Sequence, residues 1–485
     1  MSPAAPNRAR VRAAALAVAM GLLGTRTARA EDPPASAWVE LSGPAVVQGL
    51  RVTDLDGDGV DDVLAVSARD VLAWRGVRDG RPAPAPTWRF EVPAAATFVA
   101  PDRPAPPAAP ALLALAGTQV LRLRAGERPT VVEGLEVSLP WTDPARAVLS
   151  DFRRGDGILL PRADGFHWVP DLRAGAATGV NLRVPPARRL TSPGPFVEDG
   201  AVVETTWTSP TVLPAGVGAA GGGVVALGED GLRAFFRTEG ALREVGVSTA
   251  TLPREGTVRD ALVDLDGDGL PDLVREGTTN DSGVYAFFTW DPTRDAPKLR
   301  PRSVVRLTGF QIPSDYTDLD GDGRLDFVVT TIDIDAGNIR RAVLQGRVTA
   351  RTRAFLNRSR AGAELFAGVP DAEVESDIRV RILFTFSGSI EVQRSFTIVP
   401  TADLDGDGRK DLAIRAPDGS LRVHRGREAG VWDPEPVTVE LPPVGKSPDV
   451  EGYVGELTGD RKQDLVLLYR APPGGTDRLV VRPSR

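Results

Sequence analysis

An all-β fold, a β-propeller of about eight (alternatively seven) four-stranded blades, is predicted by three features of this sequence. A nine-residue acidic pattern recurs along the chain at intervals near one or two blade lengths. Each copy runs into a short apolar stretch, a turn and a second apolar stretch, as antiparallel strands do. The residues before the first copy and after the last together make about one further blade, so the two ends can meet.

The pattern is nearly constant. It reads Asp54-Leu-Asp56-Gly-Asp58-Gly-Val60-Asp-Asp62, then Asp264-Leu-Asp266-Gly-Asp268-Gly-Leu270-Pro-Asp272. Asp318-Leu-Asp320-Gly-Asp322-Gly-Arg324-Leu-Asp326 and Asp403-Leu-Asp405-Gly-Asp407-Gly-Arg409-Lys-Asp411 follow. A fifth copy, Glu456-Leu-Thr458-Gly-Asp460-Arg-Lys462-Gln-Asp464, keeps the frame but lacks one carboxylate and the glycine at position 6. A fainter trace spans Asp151 to Gly157. The runs Val63 to Val66, Leu273-Val274, Phe327 to Val329, Leu412 to Ile414 and Leu465 to Leu468 read as the strands that follow the loops. Second strands are signalled at Asp70 to Trp74, Gly117 to Leu123, Asp164 to Trp168, Asp230 to Phe236, Gly283 to Phe288 and Asp418 to His424.

Copies begin at residues 54, 151, 264, 318, 403 and 456, in steps of 97, 113, 54, 85 and 53. Two steps are close to one unit and two close to a double unit, so loopless blades are expected near residues 100 and 210. Eight units of roughly 50 residues result, the usual length of a four-stranded blade. Because 23 residues, counted from Glu31, precede Asp54 and 29 follow Glu456, an N-terminal strand is expected to complete the last blade. That closure pairs otherwise open sheet edges.

Residues 1–30 read as an export signal: Arg8, Arg10 and Arg12, an apolar run from Ala13 to Leu23, and small residues around Ala28 and Ala30. The run is too short to span a bilayer and no other stretch is long enough, so a secreted, monomeric protein without a transmembrane segment is expected. Residues 31–485 form the propeller in this reading. There is no cysteine, so neither disulfides nor thiolates can staple the loops. The chain carries 58 basic against 65 acidic residues, a balance that argues against nucleic acid as a partner, since phosphates are bound by displacing counterions with cationic side chains.

The loop chemistry points to calcium. Carboxylates at positions 1, 3 and 5 of a tight turn converge; glycine at position 6 permits the turn, the position 7 carbonyl adds a ligand and Asp at position 9 closes the cage. An oxygen-only shell suits a hard cation, and calcium accepts six to eight such ligands at flexible angles where magnesium keeps its waters. The helix-loop-helix calcium hand would need a glutamate at position 12, where Ala65, Arg275, Val329 and Ile414 stand instead. The alternative is a set of solvated Asp-Gly turns between strands.

The D-L-D-G-D-G-x-x-D loop leading into an apolar strand closely resembles the FG-GAP/VCBS repeat family, whose propeller is also found in the integrin α-subunit headpiece. By that resemblance Asp54, Asp56, Asp58, Val60 and Asp62 would be calcium ligands in the first loop. Asp264, Asp266, Asp268, Leu270 and Asp272 would match them in the second, and Asp318, Asp320, Asp322, Arg324 and Asp326 in the third. Asp403, Asp405, Asp407, Arg409 and Asp411 complete the set. The Phe-Gly and Gly-Ala-Pro signature is absent, which places the resemblance nearer the bacterial VCBS branch. Adhesion is then an analogy, because a fold does not fix a function.

The step of 85 residues from Asp318 to Asp403 holds about 30 more than a blade needs, and residues 338–395 within it read as an insertion. Arg340, Arg341, Arg347, Arg351, Arg353, Arg358 and Arg360 cluster there with no acid among them, while Ile339, Val343, Leu344 and Val348 fit one helical face. Val380 to Phe386 and Ile390 to Ile398 read as a hairpin. The segment is expected to bind an anion or charged partner, or else to be a decorated blade with a solvated basic face; reversing Arg347, Arg351 and Arg353 to glutamate is expected to leave folding intact.

No catalytic constellation stands out. His167 and His424 lie in blade strands, and Gly221-Gly-Gly223 lacks the lysine and helix of a phosphate loop. The leading reading is a binding module for a protein or glycan. A calcium-dependent polysaccharide lyase or hydrolase, with Tyr285, Tyr316, Tyr453 or an arginine as base, and a structural cell-surface component are the alternatives.

Overall fold

Strands that follow the acidic loops carry, after their first aspartate, an unbroken apolar run of two to four residues, so these runs must be buried on both faces, and this locates the core between sheets rather than inside one. The computed structural model describes residues 38–484 apart from isolated positions and connecting segments, chiefly 103–109, 137–147, 171–178, 192–201, 214–221, 249–256, 290–298, 359–363, 385–389, 395–397, 429–431 and 443–448. The predicted export signal and the Asp151 end of the fainter trace lie outside the described residues.

Eight antiparallel four-stranded blades form a β-propeller. The first comprises Gly49–Thr53, Asp62–Val66, Asp70–Trp74 and Trp88–Glu91. The second, Ala96–Asp102 to Thr130–Glu136, and the fourth, Thr211–Leu213 to Ala241–Ser248, are the loopless blades expected near residues 100 and 210. The third runs from Arg153–Arg154 to Val180–Arg183, and a separate hairpin, Ala187–Thr191 with Val202–Thr206, follows it. The fifth begins at Thr257–Val263, the sixth at Phe310–Thr317, the seventh at Ile398–Ala402 and the eighth at Asp449–Gly455.

Each neighbouring pair of blades shares one apolar cluster. Leu64 and Val66 face Val99 and Leu112 of the second blade, whereas Val63 and Ala65, one residue out of phase, face Val466 and Leu468 of the eighth. The same alternation runs round the ring. A buried run of four apolar residues thus serves two interfaces at once.

Closure is made by the N-terminal strand Val39–Leu41, which pairs antiparallel with Arg478–Arg482. Polar contacts reinforce it: the Val47 N–H donates to Asp477 Oδ2 (2.9 Å), Asp477 N–H donates to the Ala45 carbonyl (2.8 Å), and Arg470 reaches both the Val47 carbonyl and Glu451. Leu41 is 3% exposed, and burying such a side chain is worth about 1.5–3 kcal/mol.

Residues 338–395 contain two strands of the sixth blade itself, Arg347–Phe355 and the first part of Ala372–Phe384. Beyond these lie the helix Ala336–Gln345 and an outer strand, Ile390–Arg394, that pairs with Val380 to Phe384. The helix forms as expected but faces the other way. Asn338 and Ala342 are buried, while Ile339, Val343 and Leu344 are 53%, 55% and 73% exposed, and Val348 lies in the next strand. The cause is a polar anchor: the Asn338 amide donates to the Asp333 carbonyl (2.9 Å) and accepts from Thr349 N–H (3.0 Å).

Five of these arginines, Arg341, Arg347, Arg351, Arg353 and Arg358, are paired with acids rather than forming a free basic face. Strand pairing sets Arg351 opposite Glu375 and Arg353 opposite Glu373. Arg351 also meets Asp333 (2.6 Å), Arg353 meets Glu373 (2.6 Å), Arg341 and Arg347 approach Asp377 (3.8 and 3.6 Å), and Arg358 meets Asp371 (2.8 Å). The expectation that their reversal leaves folding intact is therefore corrected. The acids that answer them lie outside the window 340–360, across a strand pair. Replacing Arg347, Arg351 and Arg353 by glutamate sets like charges face to face and is expected to lower stability by about 1–3 kcal/mol in urea unfolding, less at high salt; an unchanged unfolding curve would remove the ladder from the account.

Candidate metal centres

The acidic loops connect the first and second strands of the first, fifth, sixth and seventh blades, and the Glu456 loop does so in the eighth. One turn of backbone is repeated in each. Asp54 Oδ1 accepts from Gly57 N–H (2.7 Å) and its Oδ2 from Gly59 N–H (3.1 Å). Asp264, Asp318 and Asp403 make the same pair of bonds to their own glycines. The two glycines must be left-handed, as Gly57 and Gly59 are (φ 78° and 84°), and side chains resist that region. Asp58, Asp268, Asp322 and Asp407 at position 5 each accept from the N–H two residues on, which fixes the second half of the turn.

Three carboxylates gather in each of the four loops, at positions 1, 3 and 5 in two of them and at positions 1, 3 and 9 in the other two. Asp54, Asp56 and Asp58 each offer an oxygen within 4.8 Å of the others, as do Asp403, Asp405 and Asp407. In the fifth and sixth blades the groups of three are Asp264, Asp266, Asp272 and Asp318, Asp320, Asp326. Crowding and burial are costly for charge: burial first, then the neighbouring carboxylates, raises the pKa of Asp56 and Asp320. Asp266 Oδ1 is buried with no hydrogen-bond partner, an orphan acceptor beside two more carboxylates. Residues and geometry fit an oxygen-bound cation. The first loop carries a partial substitute, since Arg75 meets Asp56 at 2.9 Å and Asp58 at 2.8 Å. Arg324 and Arg409 pair instead with the position 5 aspartates of their own loops, and the Val60 and Leu270 side chains are buried.

Position 9 does more than the sequence reading assigns to it. Asp62 Oδ2 accepts from Leu55 N–H (2.9 Å) within its loop, and Oδ1 accepts from Gly76 N–H (2.9 Å), two residues past the end of the third strand. Asp326 joins Leu319 and Asn357 in the same way, and Asp411 joins Leu404 and Gly426. Asp272 accepts from Leu265 N–H. Burial drives these carboxyls upward, to about 7 for Asp62 and Asp326, about 9 for Asp272 and about 6 for Asp411. They are held by backbone N–H groups at a cost that a nearby cation would offset.

The fifth loop keeps the turn without the carboxylate group. Gly459 and Arg461 hold the two left-handed positions (φ 68° and 71°), and the longer Glu456 side chain accepts from Arg461 N–H (2.7 Å) in place of the second aspartate bond. Asp464 accepts from Leu457 N–H and, past the third strand, from the Ser484 N–H and hydroxyl.

The tyrosines considered as bases are engaged elsewhere. Tyr285 donates to Gln311 (3.2 Å), Tyr316 to Glu276 (2.9 Å) and Tyr453 to Glu451 (2.8 Å), and burial raises all three phenols, the wrong direction for a base. His167 Nδ1 lies 2.7 Å from Asn181 Oδ1, and His424 Nδ1 lies 2.7 Å from the Asp433 carbonyl. No helix among the described residues is long and apolar enough to cross a membrane.

No family model and no curated protein matches this chain. Among solved structures it is similar to the Tc holotoxin pore of Photorhabdus luminescens, at 14% identity and TM-score 0.29, over 89% of this chain and 16% of that one. The V. cholerae biofilm matrix protein Bap1 shows 11% identity and TM-score 0.33, over 91% of this chain and 88% of that one. AofleA from Arthrobotrys oligospora shows 10% identity and TM-score 0.27, with 84% and 90% covered. The chain spans about a sixth of the toxin chain's length. At these identities and scores the likenesses say nothing of ligand or activity, and the fold stands on the blade topology itself.

The tie made by position 9 can be separated from any cation at Asp464. Asp464→Ala strands buried N–H groups and is expected to destabilise the protein by about 2–5 kcal/mol, equally in calcium and in chelator. A loss seen only in calcium would assign Asp464 to a metal instead.

Proposed function

We propose that this chain is a secreted calcium-binding β-propeller of the FG-GAP/VCBS type, acting as an interaction module for a protein or glycan. One observation carries the calcium reading: four loops repeat the same turn and gather three carboxylates each within 4.8 Å, one of them around the orphan oxygen of Asp266. Asp-Gly turns that merely faced solvent would have no reason to bury and crowd their charges.

In this reading the ligands of each loop are its aspartates at positions 1, 3, 5 and 9 and the carbonyl of Val60, Leu270, Arg324 or Arg409. Calcium supplies the positive charge that lets those carboxylates stay ionised at close quarters. Calcium staples then take the place of disulfides in a chain without cysteine. At a free calcium level ten times the dissociation constant, each site adds about 1.4 kcal/mol by mass action. The export signal, absent thiols and modest extracellular affinity class belong together. The interaction role rests on what such a ring offers, a rigid frame whose loops and outer strands are free to vary.

Calorimetric titration of the chelator-stripped protein is expected to show about four calcium ions bound and a melting point several degrees higher with calcium than with chelator. No heat and an unmoved melting point would overturn the metal reading. The same protein on a glycan array and in a pull-down, each read with calcium and with chelator, tests the interaction role; retention of neither class of ligand would sink it.

A further inference from the structure

We propose that the acidic loops are not independent sites but one hydrogen-bonded arc, in which cation occupancy of a loop is passed to its neighbours through the backbone, with the Glu456 loop as a splint that carries no cation of its own. The inference rests on the calcium reading above and adds to it a coupling between sites.

The loops occupy consecutive blades. Going round the ring they belong to the fifth, sixth, seventh, eighth and first blades, and each is bonded to the one before it. Leu325 N–H donates to the Leu265 carbonyl (3.4 Å), Lys410 N–H to that of Leu319 (3.2 Å), Gln463 N–H to that of Asp403 (2.7 Å) and Asp61 N–H to that of Glu456 (2.9 Å). Every donor stands at position 8 of its loop and every acceptor at position 1 or 2 of its neighbour's. Position 8 adjoins the aspartate at position 9, and the N–H of position 2 is itself held by that aspartate in its own loop. A cation that fixes one loop therefore fixes the carbonyl offered to the next.

Side chains strengthen the seams. The Asn357 amide donates to the carbonyls of Leu265 (2.6 Å) and Leu325 (3.3 Å), one from each of two loops. Gln463 Oε1 accepts from Asp403 N–H (2.7 Å), and Asp61 Oδ2 accepts from Glu456 N–H (2.9 Å). Val77 and Asp79 N–H groups donate to the carbonyls of Leu457 and Thr458. The Glu456 loop is thus bonded on both sides while lying outside the groups of three carboxylates, which is what a splint requires.

The sequence marks where the arc begins. Position 8 of the fifth-blade loop is Pro271, which has no N–H to donate, and the blade before it carries no acidic loop between Leu213 and Gly223. Pro271 also shows that this turn accommodates proline at position 8, so the link can be cut elsewhere without altering a carboxylate.

The test uses the whole secreted chain, calcium titrations and hydrogen exchange. Wild-type uptake is expected to be cooperative, with a Hill coefficient above 1. Disabling the sixth-blade loop with Asp318→Ala and Asp320→Ala is expected to weaken calcium binding at the remaining sites by roughly 5-fold or more, and to speed amide exchange in 264–272 and 403–411. Adding Lys410→Pro should abolish the effect on 403–411 and leave that on 264–272. Should that variant fail to fold, Gln463→Ala is expected to loosen 403–411 and lower the Hill coefficient. Unchanged affinity and exchange in the neighbours of a disabled loop, with calcium still filling them, would overturn the coupling and leave the calcium reading intact. Absence of calcium uptake by the wild type would instead remove both.

Discussion

A buried carboxylate at the head of the second strand is the constraint on which each loop-bearing blade depends. Asp62, Asp326, Asp411 and Asp464 each receive one N–H from the start of their loop and another from just beyond the third strand. The start of the loop, the head of the second strand and the residues past the third strand are thereby referred to one side chain. Buried backbone N–H groups must find acceptors, and a carboxylate can serve several at once. The arrangement has an electrostatic consequence, because burial disfavours the ionised form and the other loop aspartates add like charge. A blade built this way gains from a cation nearby, so the tie within the blade and the affinity of its loop are two sides of one arrangement.

Around that tie the ring is held by apolar packing. Second strands supply residues alternately to the preceding and following interface, so no blade has a core of its own. Such an arrangement has no free end to spare, and the strand Val39–Leu41 with the Asp477 and Arg470 contacts joins the last blade to the beginning of the chain. Loop-to-loop bonds add a second circuit over five of the eight blades. Three neighbouring blades lack both acidic loop and circuit among the described residues. The acidic loops and the bonds between them thus stand on one run of consecutive blades, from the fifth through the eighth to the first.

Much of this was legible because the loop pattern is a local code. Aspartate and glycine at fixed positions specify a turn whose bonds lie within nine residues, so Asp54 and Gly57 announce their contact without reference to anything else. The apolar runs after the loops placed the strands, and the repeat length placed blades where no loop remains. The helix Ala336–Gln345 shows the limit of such reading. Its periodicity was visible, but which side faces the protein was decided by Asn338, whose partners flank the helix, Asp333 from just past the second strand and Thr349 from within the third. The arginine cluster misleads in the same way, since Glu373 and Glu375 become its neighbours only through strand pairing.

The sequence by itself determined the blade length and the identity of the acidic loops and narrowed the blade number to eight or seven, because each is encoded by spacing or by bonds between near neighbours. Only the tertiary structure decided that the loops stand side by side and touch. In the four loops that make the bond, position 8 reads Asp61, Leu325, Lys410 and Gln463, with no residue type in common, since the bond uses the backbone N–H and leaves the side chain unconstrained. A contact made by groups common to nearly every residue leaves no mark in composition. It emerges when closing the ring brings the first strands, and with them their loops, next to one another.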